Sequence, residues 1–377
     1  MKQERDKKTN QQKTGRDRQK NKEKRSILSS TRVLSLALCI CCMLSLSGCG
    51  KVIFVTGMGW NQLFTIGDQS GSQKEFNVYF VTLQNLYKQT YGEDVFTREG
   101  NDTVAESLKE YALELLVKVK VLNGMAEENG ISLDESELAL AEQASSLYWD
   151  ELTKEDIEYL DVEKTLIQQM YEEYALAVKT AESLIEGVDT EISDDDARTV
   201  TVQSILIRTY DIDEEGNRVE FSEEEKQEAK EYAQEIRDEI QYGMDNYLGI
   251  TFAEYIAEYN EDSVSTYTFG KGEVDSAFEE AAFNQQIGTI SDVIETEDGY
   301  RIIKTIALSD DEEIEANKEI LVQEKIETAY ESIYNAYVQE LDYNLNKNRW
   351  AQIELCSEEE VTTSNFFAVY EQVFGES

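Results

Sequence analysis

The residues best able to do covalent chemistry are the five cysteines, and four of them lie in the first fifty residues. Cys49 closes the run Leu46-Ser47-Gly48-Cys49, in which small residues fit a peptidase cleft and the thiol can be acylated. A cut before Cys49 removes Cys39, Cys41 and Cys42 and leaves Cys49 to carry lipid and Cys356 to stand alone. An intramolecular disulfide is therefore not expected, although an oxidising compartment would permit one. The sequence has no histidine. Metal sites built from Cys and His clusters are excluded, and no cofactor is expected. Among the acids, Asp211-Ile-Asp213-Glu-Glu215-Gly216 begins like a calcium-binding EF-hand loop but puts Ser222 where a bidentate glutamate should stand. The stretch reads as a strand-to-helix loop.

The elements around Cys49 explain its position. Residues 1–25 carry eleven Lys or Arg against four acids, and an apolar run of 14 residues follows from Val33 to Leu46. A transmembrane helix needs about twenty apolar residues, so the run reads as the core of a signal peptide. The whole resembles a bacterial lipoprotein signal with its lipobox. That resemblance implies residues 1–48 removed and the chain tethered through lipid on Cys49 to the extracytoplasmic face of a cell membrane, in a Gram-positive-type bacterium. Each buried acyl methylene contributes about 0.8 kcal/mol, so a multiply acylated cysteine gives a stable anchor. From Cys49 onward the chain has 23 bases and 74 acids, a net charge of −51. Nucleic acid is excluded as a partner, because phosphate binding needs a basic footprint.

About 329 residues remain, enough for two domains, with no proline to mark element ends. Short strands are expected at 51–56 and 64–66, then a Gly/Ser loop near 70–72 and a helix from about Lys74. Thr103-Val-Ala-Glu106 and Ser132-Leu-Asp-Glu135 read as caps of two further helices, and apolar spacing adds others at 155–159 and 162–185. Strands then appear at 201–208, 267–269, 293–294 and 300–306, the last two joined by a Glu-Asp-Gly turn. Helices are expected from the Ser222-Glu-Glu-Glu225 cap, near 252–259 and at 278–283. A helix from Asp311 to about Leu345 is too long to stand by propensity alone and should pack on the first lobe. A strand at 350–355 and an aromatic helix at 362–374 close the chain.

Three strings carry a resemblance. Gln203-Ser-Ile-Leu-Ile, Phe269-Gly-Lys-Gly-Glu-Val-Asp-Ser-Ala-Phe278-Glu-Glu-Ala-Ala-Phe283 and Gly288 to Lys304 are similar, in that order, to parvulin-type peptidyl-prolyl isomerase domains. The flanking helices resemble the chaperone lobe of PrsA/SurA-type foldases. The implied fold class is α+β: a mostly helical SurA-N-like lobe at 49–198, a small FKBP-like parvulin domain with an antiparallel-dominated sheet at 199–309, and a helix and tail at 310–377 packing back on the lobe.

The resemblance also implies a site. Where the family usually has histidines on its first and last strands, this chain has Ser204 and Arg301, and Asp262 matches the acid or thiol that faces them. Val274, Phe278 and Phe283 would form the apolar proline floor, with ordinary core packing the expected role of Phe283. An unpaired charge there would be costly to desolvate, so Arg301 and Asp262 are expected to pair.

Two functions remain open: a prolyl isomerase that assists folding of secreted proteins, and a degenerate parvulin that only holds unfolded chains. Either takes unfolded or newly secreted polypeptides as partners, and a dimer is compatible with both. A solute-binding lipoprotein is disfavoured because no two-lobed α/β pattern appears.

Overall fold

The computed structural model describes residues 52–59, 61–98 and 103–375. The signal-like segment and Cys49 lie outside these residues. The fold is mostly helical, with small sheets in which antiparallel pairing dominates. It divides into two compact units, one of residues up to Gly187 together with those from Ala329 onward, and one of Val188–Thr328.

The first unit contains strands β1 (Ile53–Val55), β2 (Gln62–Ile66) and β3 (Gln69–Ser72), then helices α1 (Gln73–Tyr91), α2 (Val104–Asn129), α3 (Glu135–Glu151), α4 (Lys154–Leu160) and α5 (Lys164–Ile185). The expected Gly/Ser loop is the strand β3, which pairs antiparallel with β2. Gly71 holds that place by size: a Cβ there would sit 2.2 Å from the Phe64 ring. Ser72 and Glu75 form a reciprocal capping box that starts α1. Two expected caps differ. Thr103 is already helical and its side chain caps nothing, and α3 is capped by Asp134 with Glu137 in place of Ser132 with Glu135.

The second unit holds α6 (Asp194–Ala197), β4 (Val200–Arg208), β5 (Tyr210–Ile212), β6 (Arg218–Glu220), α7 (Glu223–Asp245), α8 (Phe252–Tyr259), β7 (Thr266–Phe269), α9 (Ser276–Asn284), β8 (Ile294–Thr296) and β9 (Gly299–Leu308). The EF-hand-like stretch is the turn of the β5–β6 hairpin, its Asp213 carboxylate accepting from the backbone of Glu215 and Asn217. Backbone donors thus occupy the oxygen that a cation would need. The main sheet has the order β7-β4-β9-β8, antiparallel throughout. Alternation along β4 and β9 sorts their side chains onto two faces. Ile205, Ile207, Tyr300 and Ile302 pack under α7 and α8, while Val200, Val202 and Ile303 pack with Phe269, Phe278 and Ala282 on the side of α9.

Helix α10 (Asp311–Val338) follows, its residues through Thr328 belonging to the second unit and the rest to the first. It ends earlier than its apolar pattern suggests, because β10 (Tyr343–Asn346) inserts between β1 and β2, parallel to one and antiparallel to the other. After the short α11 (Lys347–Trp350), the expected strand at 350–355 is irregular backbone, and α12 (Phe366–Phe374) is the last helix. Buried side chains replace a strand partner here. Gln84 both donates to and accepts from the Cys356 backbone at 2.8 Å, Asn85 donates to the carbonyls of Val361 and Thr363, and Asp156 accepts from the N–H groups of Thr362 and Thr363. These bonds satisfy buried backbone that would otherwise need a ladder.

Candidate functional site

On the α9 face of the main sheet, Leu206 pairs with Arg301 and Ser204 with Ile303 across β4 and β9. Residues two apart on a strand share a face, so Ser204 and Arg301 are diagonal neighbours. Val202 pairs with Tyr267 of β7, which puts Tyr267 on the same face. The β7 ladder stops at Gln203, and the 260–265 loop takes over the edge of β4. Ser204 N–H donates to the Ser265 carbonyl, Glu261 N–H to the Leu206 carbonyl, and Leu206 N–H to the Asn260 side chain at 2.9 Å. Asn260 also accepts from Asp262 N–H and donates to its carbonyl. That clamp turns Asp262 toward the sheet.

The result is a polar knot centred on one cation. Arg301, 7 % exposed, donates through Nη2 to Asp262 Oδ2 at 3.1 Å and through Nη1 to Ser204 Oγ at 3.2 Å and Tyr267 Oη at 3.4 Å. Tyr267 in turn donates a short hydrogen bond to the same Asp262 oxygen. The guanidinium carbon lies 5.2 Å from the centre of the Tyr267 ring and 5.3 Å from that of Phe278, within cation–π range. Burial opposes ionisation of Asp262. Hydrogen bonds from Tyr267, the Val264 N–H and Arg301 outweigh it and hold the carboxyl below the usual carboxylate range. Burial, with the bond to Asp262, raises the Tyr267 hydroxyl above the ordinary tyrosine value despite the opposing Arg301 charge.

The structure therefore brings Ser204, Asp262 and Arg301 together. The three apolar positions divide. Phe278 is 4 % exposed, edge-on to Tyr267 at 5.8 Å and tilted against Phe269 at 5.0 Å, so it is the floor beneath the knot. Val274 and Phe283 are half-buried at the margin of the same cluster, and the Arg198 guanidinium covers the Phe283 ring at 5.1 Å. Core packing expected of Phe283 thus falls more fully to Phe278.

Sequence reasoning missed Tyr267, which bonds both Asp262 and Arg301. Its alternation with Phe269 was the available signal, since it sets both rings facing the site. It also missed Asp298, whose carboxylate lies 3.9 Å from Arg301. Asp298 sits in the two-residue turn that the Thr296–Gly299 pair closes. Gly299 there has φ +137°, and a Cβ would lie 2.2 Å from the Ile207 carbonyl oxygen. Only glycine allows β9 to begin so close to β4.

Comparison with known proteins places this geometry. Residues 205–307 match the family profile described as Rotamase, PPIC-type PPIASE domain. The chain is 27 % identical over 264 residues to Foldase protein PrsA of Halalkalibacterium halodurans, covering 66 % of this chain and 73 % of that one. Among solved structures, peptidylprolyl isomerase PrsA of Bacillus cereus aligns with 80 % of this chain and 95 % of its own, at 18 % identity and a TM-score of 0.34. A Campylobacter jejuni structure, from work describing PEB4 and Cj1289 as SurA-like chaperones, aligns with 76 % of this chain and 100 % of its own, at 10 % identity and a TM-score of 0.29. Residues 205–307 are thus a PPIC-type, or parvulin, domain, carried by a chain homologous to the foldase PrsA.

Proposed function

We propose that this protein is an extracytoplasmic foldase, held to the cell membrane by lipid on Cys49, whose parvulin domain speeds cis–trans isomerisation of prolyl bonds in secreted polypeptides. The observation that carries this reading is the Arg301–Asp262–Tyr267–Ser204 knot, ordered over the Phe278 floor of a parvulin domain.

Prolyl isomerisation breaks no covalent bond. Its barrier is about 18–20 kcal/mol and it takes tens of seconds or more uncatalysed. A site accelerates it by binding the twisted bond better than either planar form. The ring of the proline would rest on Val274, Phe278 and Phe283. Arg301 supplies N–H donors from a planar cationic guanidinium, and Asp262 keeps that charge compensated while water is excluded. The bond to Tyr267, the longest of the three at 3.4 Å, is the one most readily exchanged for a substrate atom. Histidines are not required for this chemistry, because no proton has to move.

The depth of Phe278 favours a second reading, in which the domain binds chains without turning their prolyl bonds. A prolyl-peptide isomerisation assay on the chain from residue 50 separates the two. The isomerase reading expects a rate at least tenfold above the uncatalysed one, lowered in a folded Arg301→Gln variant. A rate no greater than the uncatalysed one, with suppressed aggregation of an unfolded client, would make the protein a holdase.

A further inference from the structure

The turn between α7 and α8 presents apolar side chains to solvent on a rigid mount. Helix α7 ends in a Schellman motif: Leu248 N–H donates to the Gly243 carbonyl at 3.1 Å and Tyr247 N–H to the Met244 carbonyl at 3.3 Å. The residue in the left-handed position of this motif is usually glycine. Here it is Tyr247, with φ +54°, a conformation that costs a side-chain-bearing residue free energy. Tyr247 is 94 % exposed, so no packing compensates that cost. The apolar contact that usually accompanies the motif is also missing, because its partner position is Gly243 and Leu248 stands 54 % exposed. Ile250 and, one turn back, Tyr242 are exposed beside it. On the far side the Thr251–Glu254 capping box starts α8, whose Phe252 and Tyr255 are buried against the sheet. The Tyr255 hydroxyl lies 2.7 Å from where a Cβ on Gly243 would be, so the glycine lets the two helices approach closely.

We infer that this turn is a docking surface for extended apolar segments of unfolded chains that carry flanking lysine or arginine. The choice of partner follows from charge. Residues 239–258 contain four acids, Glu239, Asp245, Glu254 and Glu258, and no lysine or arginine, so the charges that flank the apolar tip along the chain are of one sign. A second copy of this chain, with its own large negative charge, and an anionic lipid surface are both repelled. A cationic apolar segment gains burial from Tyr247, Leu248 and Ile250 and attraction from the rim. This inference rests on the foldase reading and gives it a client class.

The test uses the chain from residue 50, which keeps every described element, and a fluorescein-labelled peptide with a Leu/Phe core and three lysines at each end. Tyr247→Gly is expected to weaken peptide binding at least fivefold while raising Tm by about 2–4 °C, since glycine adopts the left-handed conformation freely. Leu248→Ser combined with Ile250→Ser should weaken binding at least as much, and the same peptide flanked by glutamates should bind at least tenfold more weakly than the lysine form. Wild-type affinity in both variants would overturn the assignment of the turn and leave the foldase reading standing. The assignment would fall in the same way if the substitutions abolished self-association in sedimentation, or binding to phosphatidylglycerol vesicles, and left peptide binding intact. Failure of the unmodified protein to bind the lysine-flanked peptide would overturn the inference, while the prolyl-peptide isomerisation assay decides the foldase reading separately.

Discussion

Each compact unit buries a basic side chain in a network of hydrogen bonds, Lys120 in the first and Arg301 in the second, and the two are held in different ways. In the first unit Lys120, 3 % exposed, lies between two carboxylates, Glu75 at 2.5 Å and Glu173 at 2.6 Å. Glu75 is also half of the capping box of α1, so the ion triad joins α1, α2 and α5. Burial disfavours the charged amine, but the two glutamates outweigh it and raise the Lys120 pKa. In the second unit Arg301 has one hydrogen-bonded carboxylate, Asp262, a second at 3.9 Å in Asp298, and otherwise hydroxyls and aromatic faces. Lys120 is locked by full charges on rigid helices, which suits a structural tie. Arg301 is held by exchangeable neutral groups, and its acid partner comes from a loop. On the isomerase reading proposed above Arg301 meets a substrate, and such a cation needs neighbours it can release at modest cost.

The comparison can be broken most severely at Lys120. Lys120→Met leaves the buried Glu75 and the half-buried Glu173 carboxylates without their cation, and unfolding in denaturant at pH 7 should show a loss of about 3–5 kcal/mol. Arg301→Met removes a cation whose acid partner keeps Tyr267 and the Val264 N–H, so its loss should be smaller, about 1.5–3 kcal/mol by the same measurement.

The pH dependence of that second difference sharpens the contrast. Asp262 has a folded pKa below its unfolded value, so its contribution is complete above the ordinary carboxylate pKa of about 3.9 and fades as pH falls through the folded value. The stability gap between the parent and Arg301→Met should therefore be constant from pH 5 to 7 and close below about pH 4. A gap that changed between pH 5 and 7 would mean that another group controls the knot. Smaller still is the helix start, where Ser222→Ala removes one capping oxygen from α7 and should cost about 1 kcal/mol in thermal unfolding. The smallest expected effect is none: the isomerisation rate should be flat between pH 6 and 9. Asp262 is held below that range and Tyr267 above it, and the chain has no histidine to titrate within it. A bell-shaped profile in that window would refute the site as described.

Much of the parvulin domain was legible because its signals are local. Alternation marked β4 and β9, the Ser222–Glu225 box marked the start of α7, and Glu297-Asp298-Gly299 marked the hairpin. Strands of the first unit were harder to read. The ladder of β10 is made to residues some 280 positions away, and no periodicity within four residues can announce such a partner. The stretch after Trp350 looked like a strand because it is apolar, yet its backbone bonds go to Gln84, Asn85 and Asp156. At the site, resemblance suggested Ser204, Asp262 and Arg301; the alternation of Tyr267 with Phe269 marked its face, and the register of β4 with β7 set it beside Arg301.

By itself the sequence determined the composition of the problem: an acidic chain without histidine or proline, and strands and caps set by side-chain type at short range. Tertiary structure decided which charges meet. A buried cation is tolerable only where its partners converge within hydrogen-bond distance, and that convergence depends on sheet register and on the clamp of the 260–265 loop to the edge of β4. Both are contacts between residues far apart in the chain, which local sequence patterns do not encode.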